Sequence, residues 1–187
     1  NITEKKLVIA GLFTAGLVMV FLPFLTPVPE GGADNYAHFN IARWAFKYPH
    51  LFLDHLGKPV YTFLAAPFAQ FGFVAVRILN SVLGILTGWH IWKLAGKLNL
   101  KNGWFAVVVA VFTPIYFALM STGMTEIVFS LVLVLSVYLF FCEKYNASAV
   151  LISFLFLART EGLAFELLFL IVLIIKKQYS AIPLLAT

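Results

Sequence analysis

Asp34, His38, His50 and Asp54 all fall within one stretch, Pro27 to Gly72, of a 187-residue chain that is otherwise overwhelmingly apolar. The centre of that stretch is Glu30-Gly-Gly-Ala-Asp34-Asn-Tyr-Ala-His38. Two glycines suit a tight turn, and Asp34 then serves as N-cap or first-turn residue of a short helix predicted to run to about Tyr48. Asp34 and His38 stand one turn apart and share a face. A carboxylate there can take a proton from an attacking nucleophile. Lysine and arginine at the same level can hold a phosphate or pyrophosphate, lysine as a point charge and arginine through its bidentate fork. Together these groups fit group transfer from a phosphate-linked donor. A divalent metal on Asp34 and His38, with Asp54 or Glu126 as third ligand, is a second chemistry the spacing allows. The plainest reading makes Asp34 a helix cap and His50, Asp54 and His55 a solvated loop.

The elements that must position these groups are membrane helices. Hydrophobic residues make up 62% of the chain and charged ones 11%, against roughly a quarter charged in soluble domains, and the mean hydropathy is +0.97. A soluble domain of this size leaves too much surface facing water to hide so many Phe, Leu, Val and Ile, so the apolar solvent is the bilayer. The net charge of +5 does not point to nucleic acid, because the lysines cluster at the ends of apolar runs instead of forming a basic face. A single cysteine, Cys142, excludes an internal disulfide and reads as a small packed hydrophobe.

Residues 7–26 form a first span behind Lys5-Lys6. They are too long for a signal peptide, and no small-residue cleavage pattern follows. Pro27-Val-Pro29 stops that helix, and residues 27–72 form an extracytoplasmic loop with short interfacial helices. The part from Gly57 to Gly72 is too short and proline-interrupted to cross, and reads as interfacial or re-entrant. Residues 73–187 carry the remaining spans, at about 73–95, 104–120 and 125–141, then two helices within 147–175 that meet at Arg159-Thr-Glu161-Gly162. Ser180 to Thr187 opens another helix. Gly84-Ile-Leu-Thr-Gly88 is a small-xxx-small face that lets a neighbouring helix approach. The fold class is thus all-α, a polytopic transmembrane bundle of about six to seven spans.

Alternating the chain across the membrane gathers Lys5, Lys6, Lys93, Lys97, Lys101, Lys144, Lys176 and Lys177 on one side, which the positive-inside rule makes cytoplasmic. Asp34, His38, Lys58, Arg77, Glu126, Arg159 and Glu161 then share the extracytoplasmic ends of their helices. Charges at membrane depth are expensive and mark a site or its paired support. Arg77 and Glu126 can pair with each other or with Glu161, and Arg159 with Glu161 can brace the apex. Lys58 can equally snorkel from its helix. Tyr36, Trp44, Tyr48 and Tyr61 read as an interfacial aromatic belt, although such rings also line sugar sites. The sequons at Asn1 and Asn146 fall on the cytoplasmic side and should be unused.

The loop Asp in a Gly-x-Asp-x-Tyr-like context, the Lys58-Pro59 pair, the apolar segment closing in Phe71-Gly72, Val76-Arg77-Ile-Leu-Asn-Ser, Thr125-Glu126 and Ala158-Arg159-Thr-Glu161-Gly162 resemble, in that order, a known family. It is the N-terminal part of polytopic GT-C glycosyltransferases, the group with the protein O-mannosyltransferases and the aminoarabinose transferases of lipid A. The resemblance implies a polyprenyl-phosphate sugar donor, transfer with inversion to an unknown acceptor, and no required cofactor. It implies Asp34 as base or acceptor-orienting residue and Lys58 at the donor phosphate. Beside the resemblance, the shared side of the membrane makes His38, Arg77, Glu126, Arg159 and Glu161, with the sugar-suited ring of Tyr36, further substrate-binding candidates. Many members follow the aspartate with a second acid, where this chain has Asn35. Members usually have eleven or more spans, so the sequence, which begins without methionine, reads as part of a longer chain in an inner (plasma) membrane, N-terminus cytoplasmic. A transporter would need an inverted repeat, and none is visible. A non-catalytic membrane subunit and a transporter-like protein are the alternatives.

Overall fold

The computed structural model describes residues 2–26 and 32–185. Within them every regular element is helical. Pro27-Val-Pro29 and Glu30, to which the sequence assigns the end of the first span and the approach to Asp34, lie outside the described residues.

Two helices are long and apolar enough to cross a membrane: α1 (Ile2–Leu25) and α4 (Phe73–Lys97). A third crossing exists only if α5 (Gly103–Phe112) and α6 (Pro114–Met120) count as one, and they bend by 68° at Thr113. The sequence predicts a continuous span there. Pro114 removes a backbone donor and pushes the preceding residue out of the helical region, and Thr113 is extended at φ −57°, ψ 126°. The remaining apolar helices are shorter: α7 (Glu126–Phe141), α8 (Tyr145–Ser153), α9 (Leu155–Ala158) and α10 (Gly162–Ile175). Helix lengths among the described residues therefore give two or three spans, where the hydropathy of the sequence gives six to seven. Hydropathy counts apolar residues without seeing where a helix bends or stops. The tail forms a 3-10 turn at Tyr179–Leu185 with Pro183 inside it, in place of the expected helix.

Between α1 and α4 lie α2 (Gly32–Trp44), a 3-10 turn (Pro49–Leu53) and α3 (Pro59–Ala69). α2 stops short of the predicted Tyr48, which sits before Pro49 in a non-helical conformation. α3 buries Tyr61, Ala65 and Ala69 at i, i+4 and i+8 and exposes Phe63 and Phe68, as the turn after it exposes Phe71. The small alanines let it lie close on α2 and α4, and the phenylalanines face outward. At the far ends of this pair the Gln70 side-chain amide donates to the Arg43 and Ala66 carbonyls, the first of them on α2.

Three apolar clusters hold the bundle. Val8, Leu12, Met19, Val107, Val111, Met120 and Ile127 join α1, α5, α6 and α7 around α4. Phe39, Ala42, Tyr61, Ala65, Val76 and Val128 seat α2 and α3 on α4 and α7. Phe140, Ile152, Leu155, Phe169 and Leu173 lock α7, α8, α9 and α10 together. The predicted small-xxx-small face is packing: a Cβ on Gly84 would meet the Met120 side chain at 2.6 Å, and one on Gly88 would meet Val111 at 2.6 Å and Leu12 at 2.9 Å. Phe13, Phe21, Phe24, Phe71, Ile115, Leu168 and Ile175 stay exposed, an outer surface suited to lipid.

Candidate functional site

Helix direction brings distant residues to one end of the bundle. α1 ends there at Leu25, α4 and α7 begin there, and α9 and α10 meet there. At the other end the Glu4 carboxylate accepts from the Trp104 backbone N–H (3.1 Å), and the Lys93 ammonium lies over the Trp89 and Tyr138 rings. Gln178 and Ser180 share a cavity of about 430 Å³ with Glu143 and Lys144 at that end too. The basic helix ends thus lie opposite the candidate residues.

A polar face of α4 builds the frame. Arg77, Asn80 and Ser81, spaced i, i+3 and i+4, serve the backbone between α6 and α7. Arg77 Nε donates to the Ser121 carbonyl (2.6 Å), and its terminal nitrogens donate to the Pro23 and Thr26 carbonyls (3.1 and 2.6 Å) and to Thr26 Oγ1 (2.8 Å). The Asn80 amide donates to the Thr122 and Met124 carbonyls, and the single Ser81 hydroxyl proton lies within hydrogen-bonding distance of the Met19, Arg77 and Met120 carbonyls. From the other side the Gly123 N–H donates to Asn35 Oδ1 at 2.6 Å. Non-helical backbone buried in an apolar bundle needs such partners, and here side chains supply them. Arg77 is 1% exposed and pairs with neither Glu126 nor Glu161, the partners the sequence suggests. Its guanidinium is committed to carbonyls of two segments, the end of α1 and the α6–α7 connection.

Glu126 opens α7, where a carboxylate is favoured by the helix dipole. Its partner is Arg159, at 2.5 Å, and Arg159 also bonds Glu161 at 2.9 Å and Thr125 Oγ1 at 3.3 Å. The hydrogen bond from Arg159 holds the exposed Glu161 carboxyl down at about 2. The apex therefore breaks the helix where the sequence places it. Gly162 allows the turn: a Cβ there would sit 2.2 Å from the Leu155 backbone.

Asp34 is exposed in the first turn of α2, and His38 is buried one turn on. The His38 ring lies 5.6 Å from the Tyr61 ring and within electrostatic reach of Asp34, Glu126 and Lys58. Desolvation holds its pKa below the ordinary 6.5, against the pull of those two carboxylates, and the Leu56 backbone takes a hydrogen bond from the ring. Tyr36 is exposed and leans on Phe73, with ring centroids 4.9 Å apart. Lys58, half-buried at the start of α3, adopts φ +57° in front of Pro59, a strained conformation for a residue with a Cβ. Asn99, Glu143 and Lys177 also have positive φ after helix C-termini, where left-handed residues are usual, and Asn102 has it before α5, where asparagine tolerates that region better than lysine does. The segment before Lys58 is fixed: Asp54 Oδ1 accepts from the Gly57 N–H (2.8 Å), and Thr62 Oγ1 donates to the Gly57 carbonyl (2.9 Å). Asp54 is thus a turn-former, not a solvated loop residue. The Asp34–His38 pair gains no third ligand, since no three His, Cys, Asp or Glu side chains converge as a metal-binding set among the described residues.

Tyr61 is the residue sequence reasoning misplaced. Read as part of an interfacial belt, it is fully buried, and desolvation raises its phenol pKa. The available signal was its position heading the Ala65, Ala69 stripe. Asn35 was seen only as a missing acid, and here it anchors the α6–α7 connection.

The family model described as dolichyl-phosphate-mannose-protein mannosyltransferase matches residues 58–184. No curated protein and no solved structure matches the chain. Lys58, Arg77, Glu126, Arg159 and Glu161 fall inside the matched range, while Asp34, Tyr36 and His38 precede it. Apolar helices of spanning length, a charged rim on α2, α3, α7 and the α9–α10 apex, and a match over more than half its length lead to one conclusion: the chain belongs to the dolichyl-phosphate-mannose-protein mannosyltransferase family, membrane glycosyltransferases of the GT-C superfamily that use polyprenyl-phosphate-linked sugars.

Proposed function

We propose that this chain carries the chemical half of an inverting sugar transfer, with Asp34 as the general base and Lys58 at the donor phosphate, on the extracytoplasmic side of the membrane. The acceptor oxygen attacks the anomeric carbon, and its proton passes to the Asp34 carboxylate. The bond from the anomeric carbon to the phosphate oxygen breaks, and the electron pair leaves with the polyprenyl phosphate. Lys58 offsets the charge that develops on that leaving group. Arg159, oriented by Glu126 and Glu161, stands at the same rim as a second cation, and Tyr36 flanks the acceptor side. Arg77 takes a framework role in this reading, because four of its five N–H donors are already occupied.

The observation that carries the proposal is the placing of Asp34. It is the exposed acid of α2, held next to buried His38 by a helix that Asn35 anchors, with Lys58 reaching the same histidine from α3. Positioned acids and bases contribute about 10²–10⁴-fold to rate. Asp34→Asn in the full-length protein should lose that much transfer from a polyprenyl-phosphate sugar while melting at the wild-type temperature. A fully active Asp34→Asn protein removes this residue from the mechanism.

A further inference from the structure

Among the described residues, four buried side-chain polar atoms lack a hydrogen-bond partner, and three of them, His38 Nδ1, Tyr61 Oη and Glu126 Oε2, belong to one neighbourhood. The fourth is Asn80 Oδ1, in the frame of α4. Buried polar atoms are nearly always paired, so orphans on two touching rings, with a third on a carboxylate that acts electrostatically on both, mark a place for a missing group. From these contacts we infer that His38, Tyr61 and Glu126 form a sugar-hydroxyl subsite, which receives hydroxyls of the donor sugar. This rests on the transferase reading above and adds to it the residues that recognise the sugar.

The chemistry of the three atoms selects the ligand. Arg159 occupies Glu126 Oε1 and so fixes Oε2 as a free acceptor. With the His38 ring bonded to the Leu56 backbone through its other nitrogen and kept neutral by burial, Nδ1 is a second acceptor. The Tyr61 phenol, neutral in its buried position, is a donor. Two acceptors and one donor match a pair of hydroxyls, which donate twice and accept once. A phosphate would be repelled by Glu126, and an ammonium could not accept from the phenol. An apolar group would leave all three atoms unpaired. Tyr61 also stands one turn beyond Lys58 on α3, a spacing that a single hexose ring bridges between its phosphate and its far hydroxyls. Entry requires a shift at the rim, where the Glu126 and Arg159 side chains are only partly buried.

The test uses the full-length protein in lipid nanodiscs and compares binding of sugar-free polyprenyl phosphate with polyprenyl phosphates bearing mannose, glucose or arabinose. For the sugar that wild type prefers, Tyr61→Phe should reduce the preference over the sugar-free lipid by about 10-fold, the usual effect of losing one buried hydrogen bond to a ligand. Affinity for the sugar-free lipid and the melting temperature should stay within about 2-fold and about 2 °C of wild type, because the phenol touches neither the phosphate nor a protein partner. An unchanged preference in Tyr61→Phe, or equal weakening of every lipid, overturns the inference and leaves the gap to an internal water. Wild type that binds lipid phosphate without preferring any sugar overturns it as well, while sparing the transferase reading. Failure to bind any of the lipid phosphates defeats that reading itself.

Discussion

Arg77 and Glu126 both lie in the opening turns of buried helices at the same end of the bundle, yet their surroundings are opposites. Around Arg77 four donated hydrogen bonds close on Ser121, Pro23 and Thr26, and its neighbours Asn80, whose own Oδ1 stays unpaired, and Ser81 serve the same stretch of backbone. Around Glu126 one oxygen is bound and the other is not, and the nearby His38 and Tyr61 each keep a free buried atom. A polar group that completes its own bonding within the chain is framework. One left incomplete beside an exposed acid and a strained lysine is available to something outside the chain. Charge alone does not separate the two, since a buried arginine and a buried glutamate are equally expensive to place in an apolar bundle.

The contrast can be broken most sharply at the framework. Arg77→Met strips three carbonyls and a hydroxyl of their partners at once, and should destabilise the fold by about 3–5 kcal/mol, read as lost accumulation or a collapsed melting temperature. Arg77→Lys should fail to rescue it, because an ammonium cannot reproduce the fork that reaches both segments. Gly162→Ala, at the apex that presents Arg159 to Glu126, drives a methyl into the Leu155 backbone, which cannot move aside as a side chain can. A loss of about 1–3 kcal/mol is expected from denaturant unfolding.

The other region should respond in activity before it responds in stability. Lys58→Gly relieves a positive φ at the start of α3 and should leave stability unchanged or raise it by up to about 1 kcal/mol, while weakening polyprenyl-phosphate binding. A variant that lost stability and kept its affinity would move Lys58 to the framework side of the comparison. The smallest effect is titration of His38. Its folded pKa is depressed, so the unfolded chain binds the proton more readily, and stability is full above about pH 6.5 and declines as pH falls below that value. His38→Gln should flatten that decline in pH-dependent melting curves; an unchanged slope assigns it to other groups.

Much of the framework was legible. The break at Arg159-Thr-Glu161-Gly162, the short helix carrying Asp34 and His38, and the close-packed glycines of α4 all follow from local chemistry, and all are present. The number of spans was not legible, because a proline bend and early helix ends depend on backbone geometry that hydropathy ignores. Nor were the partners of the charges. Arg77 and Glu126 look like an available pair in the sequence, but a guanidinium takes whichever acceptors lie within about 3 Å, and the packing of α4 put carbonyls there first.

The sequence by itself determined a helical, lipid-embedded chain with its candidate site residues toward one end and most of its lysines toward the other, because apolar run length and charge position are local properties. Only the tertiary structure decided which of those groups are spent and which are free. Hydrogen bonding is short-ranged, and residues as distant in the chain as Asn35 and Gly123, or His38 and Glu126, become neighbours only after the helices have packed.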